Sequence, residues 1–451
     1  MRFPSVRGSG RSRASVKKAL FASLSGIDPG VFDSQVLDYG LFLRSLGIDF
    51  RYLLFEGFRT WLGSRNQVEK TLRDFRRQYE VEIEMRYLLR PLSASGLRRA
   101  ASRIAERARG LVRDSDRVLI QARGLPAAWA ALEAKRRLSS AVVLYDARDD
   151  PAAEARMEAR RQDRLSDRRR WEGRARLLES LEARVCRESD HVLAVSGPLR
   201  ERIRALGNLP ASSVTVVPCC LDPGRFTDSM AWRGEMRERL GLADRLVLVY
   251  SGSMSVWQVP GRVASLVEEV RKQLPRVFLL LLTKDTGEAE KFFGRLRGEG
   301  SCRLVSCGYG EVGRYLAAAD VALLLREEDP VNRVACPVKF AEYQACGLPV
   351  ILTPGIGEVS DYVLRTGYGR VVRLDEPMYR QAAVIAEFLR GESWPMLRDE
   401  IRRKALSFYS RESYAGAYRQ VLARLGVEPD RSEPGGAVFP NGIGPVPSCV
   451  G

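Results

Sequence analysis

Short apolar runs that recur along the chain, each followed by a helical stretch, constrain the fold more than any other feature of the sequence. A first series occupies the N-terminal half and a second series starts near residue 245, and the clearest members are Ala19–Ala22, Ile48–Phe55, Val118–Ile120, Ala141–Tyr145, Leu246–Tyr250, Val277–Leu282, Val321–Leu325 and Val350–Leu352. Uninterrupted apolar strands that alternate with helices are typical of parallel sheets covered on both faces. The sequence therefore predicts an α/β protein with two doubly wound, Rossmann-like domains that face each other across a cleft.

The same pattern gives domain boundaries. We expect a flexible basic arm, a first Rossmann-like domain, a second Rossmann-like domain, C-terminal helices that pack back toward the first domain, and a disordered tail rich in Pro and Gly. The corresponding residues are 1–16, 17–210, 211–395, 396–426 and 427–451.

Composition excludes several classes of protein. The formal net charge of +17 favours anionic partners, although a nucleic-acid role is not expected. The single histidine, His191, excludes zinc hydrolases of the H-E-x-x-H type and is expected to be structural. The 8 cysteines form no C-x-x-C pair. The apolar runs are shorter than the roughly 20 residues of a membrane span, and no secretory signal is recognised, so a cytoplasmic protein is expected.

A ligand is expected at the carboxyl ends of the strands, in the cleft between the domains. The segment from Pro337 to Ile351 has the features of a helix at this position, with Pro337 at its first turn and Gly347 at its C-terminal cap. Lys339 lies in the first turn, where the helix dipole disfavours a cation unless an anion is bound. Glu342 follows at i+3, so an internal Lys–Glu helix pair is an alternative explanation.

The segment P-V-K-F-A-E-Y-Q-A-C-G-L-P-V-I resembles the donor-site helix of retaining GT-B glycosyltransferases of the family 4-like group. Glu342 matches the second glutamate of their E-x7-E motif, whereas Val334 stands in place of the first, as in a subgroup with a Pro-x-Lys-x-x-Glu-Tyr variant. Three further segments resemble family motifs in the same order, and these are residues 189–196, 216–226 and 315–321.

The resemblance implies that residues 17–210 form the acceptor domain and residues 211–395 the nucleotide-sugar donor domain, and it implies a role for individual residues. The nucleotide part of the donor is expected to be bound by Gly252, Ser253, Lys284, Tyr309, Asn332, Pro337 and Glu342. The catalytic candidates are Arg148, Asp149 and Lys339, and the candidates for acceptor or sugar contacts are Asp28, Gly30 and Arg123. The arginines and aspartates after the first-domain strands are also explained by ion pairs that stabilise loops.

The expected substrate is a UDP- or GDP-linked sugar, with no cofactor. Negative charge develops on the leaving phosphate, so fixed cations and amide dipoles would assist its departure. Asp149 and Asp150 lack the D-x-D spacing of metal-dependent enzymes, and no metal is expected. Relatives carry an Arg and a Lys near the loop after residue 251, and both are missing here. Lys339, Lys284 and Arg333 are the candidates for the missing charge.

A basic surface is expected in the first domain, where it could face an anionic membrane and a lipid-linked acceptor. Aromatic residues between 55 and 87 are interleaved with cations, and a probable helix carries Arg98, Arg99, Arg103, Arg107, Arg109 and Arg113. The apolar residues of this segment recur every three to four residues, and that spacing is also typical of a helix packed on an ordinary core.

The sequence thus predicts a retaining glycosyltransferase that modifies a glycan or lipid-linked acceptor in cell-surface polysaccharide, glycolipid or other glycoconjugate synthesis. Two alternatives stay open. One is a sugar-nucleotide epimerase of the same architecture, and the other is a catalytically degenerate GT-B binding module.

Overall fold

The computed structural model describes residues 17–27, 32–112, 117–226, 229–391 and 393–427. The predicted basic arm, nearly all of the predicted tail, Asp28, Gly30 and Arg113 lie outside these residues. Within them the chain forms two separate parallel sheets.

The first sheet has the order β3-β2-β1-β4-β5-β6-β7, and every strand pair in it is parallel. Its strands are β1 Lys17–Ser23, β2 Ile48–Gly57, β3 Glu82–Leu88, β4 Val118–Arg123, β5 Ala141–Ala147, β6 His191–Ala194 and β7 Val214–Val216. Its helices are α1 Asp38–Ser45, α2 Phe58–Tyr79, α3 Ala94–Arg109, α4 Leu125–Lys135, α5 Pro151–Arg160, α6 Leu165–Glu188 and α7 Gly197–Gly207. A π-helical turn, Asp33–Leu37, precedes α1. Separate apolar clusters cover the two faces of the sheet.

The second sheet has the order β10-β9-β8-β11-β12-β13 and is also parallel. Its strands are β8 Leu246–Ser251, β9 Val277–Leu282, β10 Cys302–Val305, β11 Val321–Leu324, β12 Val350–Leu352 and β13 Gly369–Val371. Its helices are α8 Ser229–Leu240, α9 Pro260–Gln273, α10 Thr286–Gly298, α11 Tyr309–Ala317, α12 Pro330–Arg333, α13 Val338–Ala345, α14 Val359–Thr366 and α15 Met378–Arg390. The prediction of two doubly wound domains is confirmed.

The predicted boundary after residue 210 is wrong by one strand. Strand β7 pairs with β6 and so completes the first sheet, because its Val214 continues the apolar layer beneath α7. The second domain therefore starts after residue 216.

The chain returns to the first domain at its end. Helices α16 Ser393–Met396 and α17 Arg398–Phe408 are followed by α18 Ala415–Leu425. Tyr418, Leu422 and Leu425 of α18 pack in the apolar cluster of the first sheet, whereas Ala405 of α17 packs in a cluster of the second. The C-terminal segment therefore contacts both domains.

Candidate functional site

The loops after the strands of the second sheet form one wall of the candidate site. Gly252 and Ser253 follow β8, but their polar groups are engaged locally. The Gly252 amide donates to the Leu282 carbonyl at 3.0 Å, and the Ser253 hydroxyl accepts from Gln258 Nε2 at 2.7 Å. Lys284 follows β9 and is exposed. This loop is thus held in place by its own hydrogen bonds.

Helix α13 presents Glu342 in a buried position. The Glu342 side chain is 1% exposed, and its Oε2 accepts from Lys339 Nζ at 3.2 Å. Its other oxygen, Oε1, is buried without a hydrogen-bond partner among the described residues. Tyr343 fixes the helix against the first loop, because its hydroxyl accepts from the Ser251 amide at 2.7 Å. The predicted Lys–Glu pair exists, and it leaves one buried carboxylate oxygen available to a ligand.

Tyr309 at the start of α11 has a second buried oxygen without a hydrogen-bond partner in the described part of the chain. Burial, together with the nearby Glu342 carboxylate, raises the pKa of Tyr309, so its hydroxyl stays protonated. The Arg225 guanidinium lies over the Tyr309 ring at 5.1 Å and donates to Asp38 Oδ1 of the first domain at 2.9 Å. The two unsatisfied oxygens therefore lie where the domains meet.

Arg326, directly after β11 and Leu325, is a cation that the sequence analysis did not select. Its Nη1 donates to Asn332 Oδ1 at 3.2 Å, and its Nε is buried without a partner in the described ranges. Burial lowers the pKa of Arg326, and no carboxylate is paired with it among the described residues. A buried cation without a paired carboxylate is stabilised when an anion binds beside it. Its position directly after a strand is the one sequence feature by which Arg326 could have been selected.

The Asn332 side chain is held within the second domain. It is fully buried, donates to the Glu327 carbonyl at 2.8 Å and accepts from Arg326. Both polar atoms of this amide are thus occupied, so its side chain orients Arg326. Of the other candidate cations, Arg333 is exposed and lies 3.7 Å from Glu328.

The first domain contributes an arginine cluster organised by Asp146. This carboxylate, 1% exposed, forms an ion pair with Arg148 Nε at 2.6 Å and accepts from Arg148 Nη2 at 3.0 Å. Arg123 Nη1 lies 3.6 Å from the same carboxylate. Burial and the neighbouring Arg148 lower the pKa of Arg123 to about 10, so it still carries a charge at neutral pH. The cluster thus brings two of the predicted arginines together, with net positive charge.

Asp149 and Asp150 have different surroundings. Asp150 caps α5, accepting from the Ala153 amide at 2.9 Å, and pairs with Arg202. Burial raises the pKa of Asp149, opposed by Arg123. Ion pairs of the kind expected to stabilise these loops thus occur at Asp146 with Arg148 and at Asp150 with Arg202, whereas Asp149 adjoins the arginine cluster.

Val334, which replaces the first glutamate of the motif, has a structural role. It is 6% exposed and belongs to the apolar cluster of the first domain, and its carbonyl accepts from Ser196 Oγ at 2.7 Å. Pro337 precedes α13 as its N-cap, one position before the expected first-turn site. The loop in which Val334 stands in place of the glutamate therefore contacts the first domain.

The basic surface of the first domain includes a cavity of about 670 Å³ lined by Phe55, Met85, Arg86, Tyr87, Leu88, Arg99, Ser102, Arg103 and Glu106. Phe58 and Leu62 of α2 and Leu89 after β3 are exposed nearby. None of the helices in the described ranges has the length and apolar character needed to cross a membrane.

Comparison with known proteins agrees with this architecture. Residues 41–220 match the model of the glycosyl transferase 4-like domain. A D-inositol 3-phosphate glycosyltransferase from Actinosynnema mirum is 29% identical over 183 residues, which cover 38% of this chain and 42% of that relative. The chain thus matches less than half of the length of this curated relative.

Solved structures resemble the whole fold. Anabaena Alr3699/HepE in complex with UDP-glucose has a TM-score of 0.64 at 16% identity, with 90% of this chain and 99% of that chain covered. WaaG, a glycosyltransferase involved in lipopolysaccharide biosynthesis, has a TM-score of 0.61 at 15% identity, with 89% and 99% covered. The N-terminal domain of Candida albicans trehalose-6-phosphate phosphatase reaches 0.62 at 12% identity, with 92% and 98% covered.

At such identities the structural likeness shows the fold, whereas the activity must be argued from the site. Residues 41–220 therefore resemble a glycosyl transferase 4-like domain, within a chain that has the two-domain GT-B fold.

Proposed function

We propose that this protein is a glycosyltransferase that moves a sugar from a nucleoside-diphosphate donor to an acceptor hydroxyl. The observation that carries the proposal is the buried Glu342 carboxylate, with one oxygen held by Lys339 and the other without a hydrogen-bond partner among the described residues. A ribose hydroxyl would supply a donor to Oε1, and a hydrogen bond to a charged group contributes about 1.5–3 kcal/mol. The Tyr309 hydroxyl, which also has no partner in the described part of the chain, lies in the same region and adds a second polar contact.

The charges of the site fit a diphosphate leaving group. Arg326 and Lys339 come from the donor domain, and Arg123 and Arg148 come from the opposite domain. Fixed cations stabilise the charge that develops on the departing phosphate, without a metal ion. We further propose retention of configuration, which rests on the sequence resemblance alone. The complex of Alr3699/HepE with UDP-glucose supports a UDP-linked donor as the first one to test.

The proposed setting is the cytoplasmic face of a membrane, with a glycan or lipid-linked acceptor. Its support is the first-domain surface, where Arg86, Arg99 and Arg103 line a cavity beside exposed apolar side chains. Each cation near an anionic surface contributes about 1 kcal/mol to binding. Co-sedimentation with anionic and neutral vesicles tests this part, and equal binding to both would contradict it.

The donor experiment is a thermal-shift panel with UDP, GDP, ADP and CMP, followed by turnover of the matching nucleotide sugar. A ligand at about 100 times its dissociation constant stabilises the folded protein by roughly 2.7 kcal/mol. Glu342→Gln should raise that constant about 10- to 150-fold, which is 1.5–3 kcal/mol. Glu235→Gln, on an exposed position of α8, is the matched control and should leave it unchanged.

The outcomes separate the competing functions. Nucleotide binding with transfer to an acceptor supports the proposal, and NMR of the product's anomeric proton reports retention. Binding with interconversion of the donor sugar in the absence of acceptor would favour an epimerase. Binding without any turnover would favour a degenerate binding module, and no shift with any nucleotide would refute a nucleotide-dependent activity.

A further inference from the structure

Two cysteines from different parts of the chain meet beside the arginine cluster. Cys219 lies on the segment that leaves the first domain after β7, and Cys336 immediately precedes Pro337 and α13. The Cys219 amide donates to Cys336 Sγ at 3.2 Å, although 117 residues separate the two. Both are only partly buried. The pair thus combines proximity with incomplete burial of both residues.

The surroundings of the pair distinguish the two sulfur atoms. A hydrogen bond with the Cys336 thiol lowers the pKa of Cys219, and the charges of Arg148 and Arg123 lower it further, whereas burial acts in the opposite direction. Arg148 Nη1 lies 3.9 Å from Cys219 Sγ. The hydrogen bond with Cys219 and burial raise the pKa of Cys336. These opposite shifts favour the thiolate form of Cys219 and the protonated form of Cys336.

The neighbouring Cys220 has no such environment. It is 5% exposed, and burial raises its pKa to about 12, which leaves it protonated. Cys307, in contrast, is partly exposed like Cys219, but burial raises its pKa as well. Cys220 is therefore a control for a cysteine adjacent in sequence, and Cys307 is a control for a cysteine of similar exposure.

We propose that Cys219 and Cys336 form a reversible disulfide under a mild peroxide, as a modification site that covalently joins the interdomain segment to the donor helix. The Cys219 thiolate attacks one peroxide oxygen, the O–O bond breaks, and hydroxide leaves with the electron pair. The Cys336 sulfur then attacks the oxidised Cys219 sulfur and displaces a second hydroxide. Two thiols and one hydrogen peroxide thus give one disulfide and two waters, and a dithiol reductant reverses the change by exchange.

The disulfide would act on the site through its position. An S–S bond is about 2.05 Å long, which is shorter than a contact between two thiols, so its formation draws the residue before Pro337 toward the interdomain segment. Lys339 and Glu342 lie on the helix that starts there. The bond also removes the thiolate that faces Arg148. We therefore expect weaker donor binding in the oxidised form, and this consequence rests on the proposed function.

The test is oxidation of the full chain with hydrogen peroxide, blocking with N-ethylmaleimide and tryptic mass spectrometry. Trypsin is expected to release residues 205–225, which contain Cys219 and Cys220, and residues 334–339, which contain Cys336. The proposal predicts a cross-link between these peptides that dithiothreitol removes. Cys219→Ser should abolish the cross-link and Cys220→Ser should preserve it. Without oxidant, Cys219 should react with N-ethylmaleimide at least tenfold faster than Cys307.

Chemical and functional outcomes are read separately. A cross-link that persists in Cys219→Ser, or oxidation of Cys336 without any cross-link, overturns the proposal even if every variant folds. The cross-link is detected whether or not the protein binds a nucleotide, so failure of the proposed function leaves this result intact. If a nucleotide binds, its thermal shift should decrease on oxidation and return with dithiothreitol, and an unchanged shift would refute the effect on the donor site.

Discussion

His191, the single histidine of the chain, gives a pH dependence whose sign and size follow from its surroundings. It is 3% exposed on β6, and its Nε2 is hydrogen-bonded to Thr215 Oγ1 on the neighbouring strand at 2.9 Å. Burial, with a smaller contribution from Arg424, lowers its pKa from 6.5 to about 4. The folded protein therefore contains a neutral imidazole throughout the ordinary pH range.

The unfolded chain binds a proton at His191 near pH 6.5, whereas the folded chain does so only near pH 4. Between these values the unfolded state holds more protons, so the free energy of unfolding decreases as the pH falls. Integration over the two pKa values gives a loss of about 0.8 kcal/mol at about pH 6 and about 2 kcal/mol at about pH 5, relative to about pH 7.5.

The assay is urea unfolding of wild type and His191→Gln at these three pH values. The variant cannot titrate, so the stability difference between the two proteins should shift by about 2 kcal/mol in its favour between about pH 7.5 and pH 5. The comparison is needed because burial raises the pKa of Glu154 and Glu182 to about 7, and these groups stabilise the fold on acidification. A shift below about 0.5 kcal/mol, or one of opposite sign, would refute the reasoning.

Four further substitutions test the site and the structure that supports it. Arg326→Gln should weaken the binding of a nucleoside diphosphate about tenfold or more and leave binding of the nucleoside unaffected, because a charge-assisted bond to phosphate is lost. Titration calorimetry with both ligands measures this difference, and an equal loss for the two ligands would contradict the role of Arg326. Tyr309→Phe should leave the ligand-free melting temperature unchanged or higher, since the hydroxyl has no partner among the described residues, yet weaken the diphosphate by about 1 kcal/mol. Gly357→Ala should cost more than about 2 kcal/mol of stability, because its φ is +47° and a Cβ would lie 2.1 Å from the Ala335 carbonyl oxygen. Gly173→Ala in α6 should instead stabilise the protein by about 0.5–1 kcal/mol, because a Cβ there has no described atom within 4 Å.

The strands that form the sheet centres could be predicted because they are buried on both faces and consist almost entirely of apolar residues. The edge strands Glu82–Leu88 and Gly369–Val371 could not. The first alternates charged and apolar residues, and the second is too short to have a period. The boundary at residue 210 is displaced by one strand because only the pairing shows which sheet a three-residue strand joins.

The site was predictable where the chemistry is local in sequence. Lys339 and Glu342 are three residues apart on one helix, and their contact follows from helical geometry. The pair of Arg225 with Asp38 joins residues 187 positions apart, and no local pattern contains it. Arg148 was selected with Asp149 as its neighbour, but its ion pair is with Asp146, because alternate residues of an extended strand end point to the same side.

Arg225 contacts both halves of the molecule through one guanidinium group, with Asp38 on one side and the Tyr309 ring on the other. If a nucleotide binds at Tyr309 as proposed, its binding and the Arg225 contact between the domains would be linked equilibria. By reciprocity, the factor by which this contact strengthens nucleotide affinity would equal the factor by which the nucleotide stabilises the contact. Arg225 would thus make the occupancy of the proposed nucleotide site affect the first domain.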